Sequence, residues 1–213
     1  MKVCPDNSSF LQPLFDFMER FHPLSESFKM QYKKECNLLN VKKNKFILSP
    51  IDTNDAAYFL LKGVVRAFVK EDKKDISTRF CFENEFIEAI KHPGNTSDYS
   101  IEYLQALEDC TLIRIPYKLI DFLNLEYPES QLITRKLLES NYHAASERSI
   151  LARIPTAMGR YLKFESDHSE MNRIPQRYLA SYLVMRLETL SRMRNKAVDN
   201  RLQKMDLIAD QSA

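Results

Sequence analysis

The chain has 213 residues, is 44% hydrophobic and carries a formal net charge of only +2. That length suits one large or two small folded domains, and three glycines (Gly63, Gly94, Gly159) are too few for a glycine-rich phosphate loop. The four cysteines (Cys4, Cys36, Cys81, Cys110) lie far apart with no CxxC pair, which gives a zinc knuckle or a tight cluster site little support and predicts reduced, mostly buried thiols.

The opening MKVCPDNSSF has no apolar run of the signal-peptide kind, and no long apolar stretch follows. The expectation is a cytoplasmic protein with no membrane contact. Phe10–Phe21 then shows helical spacing with a wide apolar face, ended by Pro23, and Ser25 suits the cap of a second helix reaching about Lys34. From Asn37 the pattern changes to short runs of β-branched, aromatic and leucine residues: Leu38–Val41, Phe46–Ser49, Ala57–Leu61, Val64–Val69, Ile76–Phe82, Ile101–Ala106 and Leu112–Ile115. Polar breaks separate them, and this rhythm predicts an antiparallel barrel or roll. His92–Ser97 reads as a polar loop.

Pro116 precedes a short helix over Tyr117–Leu125, and Pro128 starts the longest helical stretch, Glu129–Arg153. About 25 residues at ~1.5 Å each span roughly 37 Å, more than a small domain needs for its own core. Its apolar positions include Leu132, Ile133, Leu137, Leu138, Tyr142, Ala145 and Leu151. Pro155 marks a hinge; Thr156 caps a helix to Phe164 with Met158, Tyr161 and Leu162 facing inward, and Glu165–Asn172 reads as a polar loop.

Two short helical patterns meet across a corner in Arg177–Lys196. The first presents Tyr178, Leu179, Tyr182 and Leu183 on one stripe, with Pro175 in its first turn; the second presents Leu187, Leu190 and Met193. Arg186, Glu188, Thr189, Ser191, Arg192 and Lys196 are left facing outward. One face packs while the other offers forked donors and short hydroxyls, which is how a helix-turn-helix meets a DNA major groove. A helical hairpin with a solvated basic face gives the same pattern. Charge supports the first reading: residues 172–204 carry eight Lys/Arg against Glu188 and Asp199, a local excess of +6 on a body of about −4.

Ile174–Lys196 resembles the helix-turn-helix of the Crp/Fnr superfamily of bacterial transcription regulators, through Leu179-Ala180-Ser181-Tyr182-Leu183 and Glu188-Thr189-Leu190-Ser191-Arg192-Met193-Arg194. Tyr58–Arg66, with Gly63 at its turn, is similar to that family's strand–turn–strand element. The resemblance implies an α+β fold in three parts: an N-terminal antiparallel β-roll of cyclic-nucleotide-binding type over 1–127, a dimerisation helix over 128–154, and a helix-turn-helix domain over 155–213. It implies a homodimer through the 129–153 helix, double-stranded DNA as partner, RNA polymerase as a further candidate partner, and a recognition helix of about 187–196. Glu188 and Arg192 would reach base edges with Ser191 as a third reader, Gln176, Arg177, Arg186 and Thr189 would meet phosphates, and Arg194 and Lys196 would add general attraction.

The chain also departs from the family. Members that bind cyclic nucleotides hold the phosphate on a "GE" segment and an arginine. Here Asn84-Glu85 stands at the first, and Ser100-Ile101-Glu102 at the second, with no arginine between Arg79 and Arg114. A buried phosphate without a cation is too costly, so cyclic AMP is not expected to bind. Glu85, Ser100 and Glu102 are the candidate residues for another effector; Glu85 and Glu102 also read as ordinary exposed carboxylates. Val184 occupies the turn position usually held by glycine, where a β-branched residue is strained, so the corner is either strained or reshaped, and a wing after the recognition helix is hard to find. These departures leave open a binding module whose degenerate helix-turn-helix no longer reads DNA. His22, His92, His143 and His168 are scattered without catalytic or metal spacing, so neither an enzyme, a metal site nor a cofactor is expected.

Overall fold

The structure, a computed structural model, describes residues 8–90 and 99–195. The His92–Ser97 loop, Cys4, Lys196 and any wing in 197–213 lie outside the described residues. The chain divides into two compact units, Met1–His143 and Ala144–Ala213.

The first unit opens on a short 3-10 turn, Ser8–Leu11, continued by α1 (Gln12–Glu19), whose Pro13 stands in its first turn where no N–H is needed. Helix α2 (Glu26–Glu35) begins at Ser25, whose hydroxyl accepts from the Phe28 N–H as expected for an N-cap. Among the described residues eight strands follow: β1 (Asn37–Val41), β2 (Phe46–Leu48), β3 (Ala56–Lys62), β4 (Val65–Glu71), β5 (Lys74–Cys81), β6 (Phe86–Ile87), β7 (Tyr103–Ala106) and β8 (Cys110–Pro116). All pairings are antiparallel, in two four-stranded sheets ordered β1-β8-β3-β6 and β2-β7-β4-β5. This is the expected roll, with two corrections. The two-residue β6 was too short to announce itself, and Ile101 lies outside β7, exposed, because the chain before Tyr103 is held by side-chain bonds instead of a ladder.

Period-two alternation explains why β3 and β8 sit at the centre. Tyr58, Leu60, Cys110 and Leu112 point between the sheets to meet Val65, Ala67, Leu104 and Ala106. Phe59, Ile113 and Ile115 point the other way, onto a second core of Leu14, Phe15, Met18, Phe28 and Leu119 supplied by α1, α2 and α3 (Tyr117–Glu126). Gly63 turns β3 into β4 at φ +103°, and a Cβ there would stand 2.6 Å from the Cys110 sulfur, so the glycine is required twice over. Cys36, Cys81 and Cys110 are buried free thiols, and burial pushes the Cys36 thiol up to about 12 and that of Cys110 to about 11.

The long helix α4 runs Pro128–Arg153, near the expected bounds. Of its apolar residues only Ile133 and Leu151 are buried; Leu132, Leu138, Tyr142 and Ile150 are exposed, Tyr142 at 78%. In the second unit, α5 (Ala157–Asp167) is capped by the Thr156 hydroxyl on the Gly159 N–H. Tyr161 and Phe164 are buried, but Leu162 is 48% exposed, which corrects its expected inward placement: Phe164, one turn on from Tyr161, takes the inward position. The expected polar loop after it closes with a 3-10 turn, Met171–Arg173, that buries Met171. Helix α6 spans Gln176–Tyr182, and α7 covers 187–195. Pro175 is the residue preceding α6, extended at ψ 133°, and not part of its first turn. No described helix is long and apolar enough to cross a membrane.

Candidate nucleic-acid interface

The corner between α6 and α7 is built by backbone bonds. The Val184 N–H donates to Ser181 O (3.3 Å) and the Met185 N–H to Ala180 O (3.0 Å), the paired closure that ends a helix on a left-handed residue. That residue is Val184, at φ +52°, so the strain expected of it is present and not reshaped away. Its side chain is 62% exposed, so it contributes little packing in return.

A residue the sequence did not single out holds this corner. The Arg160 guanidinium, from α5, donates to Leu183 O (2.7 Å) and Val184 O (3.1 Å) on one side. On the other it donates to Ile154 O (2.7 Å) and Pro155 O (3.3 Å), just beyond the end of α4. One planar fork therefore satisfies four carbonyls that both helix ends would otherwise leave open.

Tyr178, Leu179 and Ala180 of α6 and Leu183 at its C-terminal cap are buried, with Leu190 of α7 fully so. Leu187 is 44% exposed, which corrects its place on the inward stripe: in the first turn of α7 the chain has only just left the corner, and Leu190 alone fills the core. At 100° per residue, Glu188 and Arg192 fall on the side of α7 facing away from Leu190. Both are exposed, as are Ser191 and Asn195, and these four line one outward face. Asn195 was missed because it ends the motif, though its spacing from Ser191 and Arg192 marks the same face. Arg192 Nε makes a long 3.4 Å bond to Glu188 O. Arg186 and Gln176, both exposed, stand at the starts of α7 and α6, where backbone N–H groups are open to an anion; Thr189 is half-buried.

Three cations are partly committed elsewhere. The Arg177 guanidinium lies 4.4 Å from the Tyr178 ring centre and bonds its hydroxyl, Arg173 pairs with Glu170 at 2.6 Å, and Arg194 donates to Asn172 Oδ1. Arg194 thus fastens the end of α7 to the 3-10 turn. Nearby, His168 stacks on Phe164 at 4.2 Å, and burial pushes its imidazole below the usual range, favouring the neutral ring.

The three effector candidates in the roll separate. Glu85 is exposed and accepts from the Phe82 N–H at 3.2 Å, closing a tight turn. Ser100 and Glu102 come together: the Glu102 N–H donates to the Ser100 hydroxyl, which donates on to Ile90 O. Glu102 is 0% exposed, which overturns its reading as an ordinary surface carboxylate. Its partners, Thr78 and Arg79, come from β5. Among the described residues no group of three or more His, Cys, Asp or Glu is placed to hold a metal ion.

No family model matches the sequence, and no curated protein does. Solved structures match extensively. FixK2 from Bradyrhizobium japonicum is 14% identical with a TM-score of 0.67, over 78% of this chain and 85% of that one. The c-di-GMP-responsive global regulator CLP of Xanthomonas campestris is 15% identical with a TM-score of 0.65, over 84% and 94%. A Eubacterium rectale protein described as a transcriptional regulator of the Crp/Fnr family is 15% identical with a TM-score of 0.67, over 86% and 88%. At such identities the likeness is one of fold, and the fold is that of the Crp/Fnr-type regulators: a β-roll, a long helix and a helical unit ending in a helix-turn-helix.

Proposed function

We propose that this chain is a homodimeric, DNA-binding transcription regulator of Crp/Fnr type, with α7 as its recognition helix. The observation that carries the reading is the single outward face of Glu188, Ser191, Arg192 and Asn195, opposite a buried Leu190, on a helix pinned at both ends. Arginine grips guanine through two bonds and glutamate accepts from a cytosine amino group. Gln176, Arg177, Arg186 and Thr189 set the register on phosphates, and Arg194 and Lys196 add attraction to the backbone. The parts are a sensor roll over 1–127, a dimer helix over 128–154 and a DNA-binding domain over 155–213.

Dimerisation through 129–153 is supported by the exposed Leu132, Leu138, Tyr142 and Ile150 on a helix of 26 residues. A symmetric pair gives two recognition helices about one DNA turn apart. The sensor roll works without cyclic AMP, and the protein acts in the cytoplasm without catalysing a reaction. A binding module that has lost DNA recognition draws on the strain at Val184, yet the corner closes around that residue with its bonds made.

Selection of bound sites from a random duplex pool tests the reading. Wild type is expected to enrich one two-fold-symmetric sequence. Arg192→Ala is expected to relax the preference at one base pair per half-site, at a cost of about 1–3 kcal/mol. Unaltered preference in Arg192→Ala would remove it from the bases, and no enrichment by wild type would favour the module.

A further inference from the structure

Among the described residues the least exposed carboxylate in the roll is Glu102, and its surroundings are those of a bound anion. Oε1 accepts from the Thr78 hydroxyl at 2.6 Å. Oε2 accepts from Arg79 Nη2 at 3.1 Å and from the backbone N–H of Ile90 at 3.2 Å. A hydroxyl, a guanidinium and a main-chain N–H converging on two oxygens form the donor set that holds a free carboxylate or phosphate oxygen. The Thr78 and Arg79 donors come from β5 in one sheet, and Ile90 follows β6 in the other.

The same few groups tie down residues 88–90. Arg79 Nη2 also donates to Glu88 O, and the Ser100 hydroxyl, oriented by the Glu102 N–H, donates to Ile90 O. Deleting one partner of a buried ion pair leaves the other stranded. Removing the Glu102 carboxylate would leave Arg79, Thr78 and the Ile90 N–H facing a hole of carboxylate size.

We propose that Glu102 is a tethered anion: the roll contains a small-anion site built by Thr78, Arg79 and Ile90, filled by the chain's own carboxylate. Filled in this way, the site is closed to free anions, and the 88–90 segment is locked without an effector. The proposal is independent of whether the chain binds DNA.

Anion rescue tests it. Wild type, Glu102→Ala and Glu102→Gln are melted in formate and acetate series against chloride at matched ionic strength. Glu102→Ala is expected to melt roughly 10 °C lower, and formate is expected to restore at least half of that loss. Wild type should not respond, and Glu102→Gln, which refills the volume without the charge, should not be rescued. Equal stabilisation of wild type by formate, or no rescue of Glu102→Ala, overturns the proposal. If Glu102→Ala folds only in formate, the proposal stands; if it folds in neither salt, Glu102→Gln decides. There the Ile90 amide is expected to exchange roughly tenfold faster than in wild type, and exchange at the wild-type rate overturns the proposal.

Discussion

At Val184 two physical preferences oppose each other. The corner needs a left-handed residue, and valine resists that conformation at roughly 1–2 kcal/mol, while its exposed side chain returns little. Val184→Gly is therefore expected to stabilise the C-terminal unit by about 1 kcal/mol, after the greater freedom of glycine in the unfolded chain is subtracted. Calorimetry of wild type and variant checks it; an equal or lower melting temperature for Val184→Gly would show that the valine is packed better than its exposure indicates. This residue was legible in the sequence because a turn's requirement is local. Glu102 was not: Thr78 and Arg79 lie more than twenty positions away, and only the folded sheets bring them together. Leu187 and Leu162 were assigned to apolar stripes by spacing alone, and spacing does not say which of several apolar residues a small core has room for.

Among the elements, the long helix and both motif helices followed from periodicity, and α2 and α5 from their caps, with Ser25 and Thr156 in the roles expected. Strand β6 escaped because two residues cannot show alternation. Arg160 escaped because its work is on backbone carbonyls, which have no sequence signature. Its position gives an element-scale prediction. Arg160→Met should release both the end of α4 and the α6–α7 corner, costing about 1–2 kcal/mol, because two of its four bonds are part-buried and two are exposed to water. Because Arg160 bonds Val184 O directly, Arg160→Met and Val184→Gly should couple by about 0.5–1 kcal/mol in a double-mutant cycle, whereas independent sites would add. Additivity within error would mean that the guanidinium does not hold the strained turn.

For the whole molecule, positive charge is concentrated at the C-terminal end, where a polyanion is the proposed partner, and the structure divides those cations into two groups. Arg173, Arg177 and Arg194 have partners within the unit, while Arg186 and Arg192 stand exposed on or beside the outward face of α7. Salt dependence should accordingly reflect fewer phosphate contacts than the number of cations. The long helix, with its exposed leucines and tyrosine, belongs to the same scale, since a single recognition helix contacts too little DNA to select a site alone.

The most direct test is fluorescence anisotropy of the full chain with its own upstream duplex and a scrambled one, over a salt series and without added nucleotide. The expected result is tight binding selective for one duplex, with log K falling linearly against log salt at about −0.9 per phosphate contacted, and selectivity lost in Arg192→Ala. Weak binding, equal on both duplexes and unchanged in Arg192→Ala, would contradict it.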